Sequence, residues 1–181
     1  MTQPSDVIKF WFVEHGPEQW FSGGEEFDVA CAARFSSTHE QASRGELYHW
    51  RDSLVGRRAE IILLDQLSRQ LNRGSPKAFA QDLMALTLAQ YIVGEGLDKG
   101  LTPHEKMFVY MPYMHSESLV IQEIGMALFS QPDTQSWLDF QKGHRDVIAR
   151  FGRFPKRNKA LGRVPTPEEI DYLKEIGDRV F

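Results

Sequence analysis

The chain has 181 residues, enough for one domain with a sizeable core. Its 41% hydrophobic and 12% aromatic content excludes a disordered chain, and a formal charge of −4 disfavours a dedicated nucleic-acid binder. The single cysteine, Cys31, excludes an intrachain disulfide and a thiolate metal cluster; its neighbours Val29, Ala30, Ala32 and Ala33 point to a buried structural thiol.

The opening residues MTQPSD show no basic segment ahead of an apolar run, so no secretory signal is expected. No apolar stretch approaches the roughly 18–20 residues that span a bilayer. A reduced, soluble, cytoplasmic protein is the expectation. Helices are expected over Asp6–Glu14 and Glu25–Ser43. From Arg57 to Leu71 the residues Ile61, Leu64, Leu67 and Leu71 recur at helical spacing, with Ile62 and Leu63 broadening the stripe. Asn72-Arg73-Gly74 supplies a stop. Ser75-Pro76 then predicts a new start, because the hydroxyl can accept from an orphan N–H while proline at the first helical position loses no hydrogen bond.

The next apolar stripe, over Lys77–Val93, uses Phe79, Leu83, Leu86, Ala89 and Val93, and Gly94, Gly96 and Gly100 close it. Thr102-Pro103 with Glu105 forms a capping-box pattern that opens a helix over His104–Met111. Pro112 bars its continuation, which places His115 in a turn with Ser116 as the N-cap of a helix over Glu117–Ser130. Trp137, Phe140, His144, Val147, Ile148 and Phe151 mark a further stripe, ended by Gly152 and Pro155. Thr166-Pro167 with Glu169 opens the last helix. No run of alternating β-branched residues competes. The expected class is all-α, with antiparallel helix pairs forming an irregular superhelix or multi-helix bundle, in a single domain over residues 1–181.

Three segments can carry chemistry. In LDQLSRQLNR, Asp65, Arg69 and Arg73 share one helix face at i, i+4 and i+8, as a salt bridge or as ligand contacts. In YMPYMHSE, His115 and Glu117 lie close enough in sequence for an oriented proton-transfer pair, or for capping alone. Their spacing matches no strong metal signature, and no cofactor is expected. His144 lies within an apolar stripe and reads as a boundary residue. In RFGRFPKRN, Phe151 and Phe154 anchor a turn from which Arg150, Arg153 and Arg157 fan outward, with Asn158 beside them. Guanidinium forks suit carboxylate or phosphate, so this turn holds either an anionic ligand or the protein's own carboxylates.

The order of FWF with Trp20-Phe21, Leu64-Asp65-Gln66 through Arg73-Gly74, Tyr110-Met111-Pro112 with His115-Ser116-Glu117, and RFGRFP with Arg157-Asn158 resembles a widespread bacterial family of uncharacterised proteins. The resemblance covers nearly the whole chain. It implies a tetratricopeptide-like all-α fold and no established activity, cofactor or substrate. Leu67-Ser68 stands where that family usually has Phe-Pro, and Lys156 where it commonly has histidine, which removes Lys156 from any catalytic role. Two functions are compatible with these residues. One is binding or turnover of an anionic small molecule, with His115 and Glu117 as catalytic candidates and Arg150, Arg153, Arg157, Asn158, Asp65 and Arg69 as ligand-binding candidates. The other is a helical scaffold for a protein or peptide partner. Nucleic acid and membrane are not expected as partners.

Overall fold

The stretch Leu54–Leu71 carries more apolar surface than one helix face can present, so it must be covered on all sides. In the computed structural model of the protein, which describes residues 1–177, every residue from Arg58 to Ser68 is buried. Helix α4 (Leu54–Ile61) widens into a π turn at Ile62–Leu67 and resumes as α5 (Ser68–Leu71). This continuous stretch centres the first of two compact units, Met1–Arg73 with Lys77–Gly100.

Around it stand α1 (Pro4–Lys9, extended by a π turn at Phe10–Glu14), α2 (Pro17–Ser22), α3 (Gly24–Ser43) and α6 (Asp82–Gly94). Helices α1 and α6 pack on α4, and α3 packs on the π turn and α5. Aromatic residues close the far side: Trp11 and Trp20 stack at 6.3 Å, and the Trp20 indole N–H donates to the Trp11 carbonyl at 2.8 Å. Phe10 meets Phe35 edge-on at 5.0 Å. Cys31 is fully buried among these helices, and burial pushes its thiol up to about 12, so it stays protonated and inert.

The buried charges of the central stretch are matched locally. Arg51 donates a fork to Glu60 at 2.6 and 2.8 Å. Asp65 lies 3.4 Å from Arg69 and accepts from the Gln66 amide. Such pairing is what makes a buried carboxylate tolerable.

The second unit takes Gly74–Pro76 and the chain from Leu101 onward. It contains α7 (Pro103–Met114), α8 (Leu119–Phe129), α9 (Leu138–Phe151), α10 (Asn158–Leu161) and α11 (Pro167–Ile176). Helix α8 packs on both α7 and α9. Gly125 permits that contact with α9, because a Cβ there would lie 2.8 Å from the Gln141 amide. Among the described residues the structure is helical with no strand, as the periodicity predicts. None of these helices is long and apolar enough to cross a membrane. Of the expected 1–181 span, positions 178–181 lie outside the described residues.

Four local expectations are corrected. Ser75-Pro76 opens only a short 3-10 turn, Pro76–Ala78, and α6 begins later, at Asp82. Leu83, expected in the core, is 77% exposed in the first turn of α6, where no neighbour covers it, while Leu86 and Ala89 of the same stripe are buried together with Ala85, Leu88 and Ile92. Pro112 does not end its helix; α7 runs through it to Met114 and delivers His115 as its C-cap. The N-cap of α8 is Ser118 rather than Ser116, whose hydroxyl accepts from the Ser118 N–H at 3.2 Å.

The turn before α4 sets a strict limit. Ser53 caps α4 by accepting from the Gly56 N–H at 3.0 Å, and a Cβ on Gly56 would fall 1.9 Å from the Trp50 carbonyl oxygen. Gly56→Ala should therefore overpack this junction and cost about 1–3 kcal/mol, read as a lower urea midpoint with unchanged slope.

Candidate functional site

The basic segment begins where α9 stops. Gly152 adopts φ +68°, and its N–H donates to the Ile148 carbonyl at 2.8 Å, a left-handed helix end that residues with a Cβ rarely adopt. Phe154 then joins Val147 and Ile148 in a small core, with Phe151 and Tyr172 packed against it. A 3-10 turn, Pro155–Arg157, leads into α10, and a second left-handed glycine, Gly162 at φ +64°, turns the chain back at Arg163.

Two glutamates hold this turn in place. Glu117 accepts from the Phe154 N–H at 2.7 Å and from both terminal nitrogens of Arg163, at 2.8 and 3.0 Å. Arg163 also donates to the Phe154 carbonyl at 3.0 Å and to Asn158 Oδ1 at 2.9 Å. Glu169 receives a fork from Arg153 at 2.6 and 2.7 Å, the Thr166 N–H at 2.7 Å and the Asn158 amide at 3.2 Å. One carboxylate thus closes the capping box of α11 and ties that helix to the basic turn.

The remaining cations of the turn are placed differently. Arg157 lies over the Phe154 ring at 4.5 Å and donates to the His115 carbonyl at 2.8 Å. Arg150 is on the exposed rim, with Glu168 at 2.9 Å and the Phe151 ring at 4.7 Å. Lys156 is exposed.

The His115-Ser116-Glu117 turn is held from below. Gln122, fully buried, donates to the Met114 and Ser116 carbonyls at 2.7 and 2.8 Å, and its own amide oxygen accepts from Gln141 at 2.7 Å. The rings of His115 and His144 lie 6.2 Å apart, and His144 sits edge-on to Phe154 at 5.6 Å. His144 Nδ1 is 2.7 Å from the Phe140 carbonyl. Phe140, expected in the core stripe, is half-exposed.

Of the candidate residues, His115, Glu117, Arg153, Arg157 and Asn158 come together in the second unit, with Arg150 at its edge. Asp65 and Arg69 belong to the first unit. There Arg69 donates a fork to Asp82 at 2.9 and 3.1 Å, and it also donates to the Asp65 carbonyl at 2.6 Å. Asp82, Arg163, Glu168 and Glu169 escaped the reading of the sequence as partners. Glu169 was visible only as the third residue of a capping box, a role that gives no hint of the arginine it also serves.

The electrostatics follow from these contacts. Burial alone would raise the Glu117 carboxyl, but hydrogen bonds from Arg163 and the Phe154 N–H, with the nearby charge of Arg157, hold it below the usual carboxylate range. The Arg153 fork, helped by the Thr166 N–H and Asn158, brings Glu169 down to about 2 against the opposing effect of burial. Both carboxylates are ionised at neutral pH and are poor proton acceptors there. Among the described residues no group of three or more His, Cys, Asp or Glu side chains is placed to hold a metal ion.

Residues 7–177 match a family described as bacterial protein of unknown function, DUF924. A search of curated proteins gives no significant match. The solved structure of a protein of unknown function, ATU0120 from Agrobacterium tumefaciens, is 35% identical, with a TM-score of 0.89 over 95% of this chain and 97% of that one.

The depressed Glu169 has a measurable consequence. Its stabilisation is fully present above the ordinary value of 4.5 and fades as pH falls toward about 2, where the folded state also takes up the proton. Glu169→Gln should cost about 1.5–3 kcal/mol at pH 7, and the gap to the wild type should narrow as denaturation is measured from pH 4.5 down to 2.

Proposed function

The chain belongs to the DUF924 family of bacterial proteins, and we propose that it works as a helical binding module whose arginine turn is an internal brace. The observation that carries this reading is the paired closure of Arg153 on Glu169 and Arg163 on Glu117, each through two guanidinium nitrogens. A bidentate fork uses the geometry by which arginine would otherwise hold a ligand's carboxylate or phosphate. In this reading Arg150, Arg153 and Asn158 order α11 through Glu168 and Glu169, Arg157 ties the basic turn to the His115 carbonyl, and Asp65 with Arg69 orders the first unit around Asp82.

The same pairing weakens a catalytic role for His115 and Glu117. A general acid or base works best near its operating pH, and a carboxylate held charged by an arginine fork lies far from that condition. Recognition then falls to open helical surface, in keeping with the tetratricopeptide-like pairing and cytoplasmic location that the sequence suggests. Fold alone would not license that step; the occupied arginines favour it.

Thermal unfolding in millimolar inorganic phosphate or citrate provides the test. The brace predicts no more change than sodium chloride of equal ionic strength produces. A saturable rise in Tm that Arg157→Ala abolishes would overturn the reading in favour of an anion site.

A further inference from the structure

Helix α8 is built the wrong way round for a surface helix. Of its 11 residues, Leu119–Phe129, Glu123 alone is charged. The side turned toward α7 and α9 holds the fully buried amide Gln122 and Gly125, with Leu128 and Phe129. The side turned to solvent holds aliphatic residues: Val120 is 72% exposed, Leu119 and Ile124 are each 43% exposed, and Ala127 is exposed beside them. A helix that is apolar all round is ordinarily covered all round. Val120, Ile124 and Ala127 stand at i, i+4 and i+7, a seam about two turns long with Leu119 on its shoulder. Such a seam presents on the order of 300 Å² of aliphatic surface, a size at which a contiguous patch is often functional. The exposed face of α6 lacks this continuity, because Thr87 separates Leu83 from Tyr91 and Arg57 lies over the Tyr91 ring at 3.8 Å.

We propose that α8 is the contact between two copies of this chain, packed antiparallel about a two-fold axis. That arrangement brings the two Ile124 side chains together at the axis and sets Val120 of each copy against the small Ala127 of the other. Charge selects a second copy over other occupants. On the flank that α9 provides, Arg145 donates to Glu123 at 2.8 Å and to Asp146 at 3.0 Å, and Lys142 stands one turn away. This flank therefore carries two charges of each sign, and the second unit as a whole carries eleven of each. A balanced surface meets its own copy without net repulsion. A lipid surface or an acidic partner would instead be matched by a rim rich in Lys and Arg, and a basic partner by an acidic rim. With on the order of 300 Å² from each copy, the seam is smaller than a standard interface of roughly 1,600 Å², so the dimer is weak and reversible.

The inference goes beyond the binding-module reading, uses no residue of the arginine turn, and stands whether or not that turn is a brace. Sedimentation velocity of the intact chain from about 1 to about 500 µM tests it. The expected result is a reversible monomer–dimer equilibrium with Kd on the order of 10–100 µM. Val120→Asp and Ile124→Lys, each placing a charge at an exposed position of the seam, should raise that Kd at least about tenfold. Leu83→Asp, on the exposed face of α6, should leave it unchanged. Circular dichroism checks that each variant folds. Ile124→Cys should form an interchain disulfide on mild oxidation, since the two positions meet at the axis. A chain that stays monomeric to about 500 µM would overturn the inference and leave the α8 face to another protein. A dimer that the folded Val120→Asp and Ile124→Lys variants form equally well, or that Ile124→Cys fails to cross-link, would overturn it by placing the contact elsewhere.

Discussion

The Glu117 carboxylate is the contact on which the C-terminal architecture depends. It receives the Phe154 amide and the Arg163 fork, and so ties the turn after α7 to Phe154 after α9 and to Arg163 after α10, 37 and 46 residues away in sequence. Between Lys142 and Arg163 eight cations face one internal acid, Asp146, and such a segment would repel itself if left in water without partners. Glu117, Glu168 and Glu169 supply the opposing charges from outside the segment. Because the Glu117 and Glu169 pairs are partly buried, losing either partner leaves a charge in a poorly solvated place, and that asymmetry fixes the turn more firmly than an exposed ion pair could.

A second layer supports the first. Gln122 and Gln141 carry hydrogen bonds from α9 through α8 to the carbonyls of the His115 turn, and Gly125 allows the helices close enough for that relay. Buried amides are costly when unmatched and specific when matched. The relay explains why Glu117 stands where both Phe154 and Arg163 can reach it, and why a helix carrying Pro112 can still end in an ordered turn.

Much of this was legible in the sequence wherever the chemistry is local. The Thr102–Glu105 and Thr166–Glu169 capping boxes and the stop at Gly152 each depend on residues within four positions of one another. The misreadings share a different cause. Leu83 and Phe140 fit a 3.6-residue stripe, yet periodicity only says that an apolar face exists, and a neighbouring element decides whether it is covered. Ser75-Pro76 has the right local chemistry for a helix start, but the chain settles into a 3-10 turn and delays α6. The arginines of the basic turn were plain as cations. Of their acceptors, Glu117 and a helix-end carbonyl could be named as internal candidates, but that Arg163 is the cation that meets Glu117, and that Arg153 meets Glu169, is set by the fold rather than by spacing.

The two units carry the charge of the chain differently: the cations of the second unit are matched by its own carboxylates where helices must be tied together, and the net charge of −4 lies in the first unit. The most direct measurement is a double-mutant cycle on Glu117→Gln and Arg163→Met by urea denaturation at pH 7. The brace predicts a favourable coupling of about 1–3 kcal/mol between them. Additivity within about 0.5 kcal/mol would contradict it, since two residues that add independently do not hold one another.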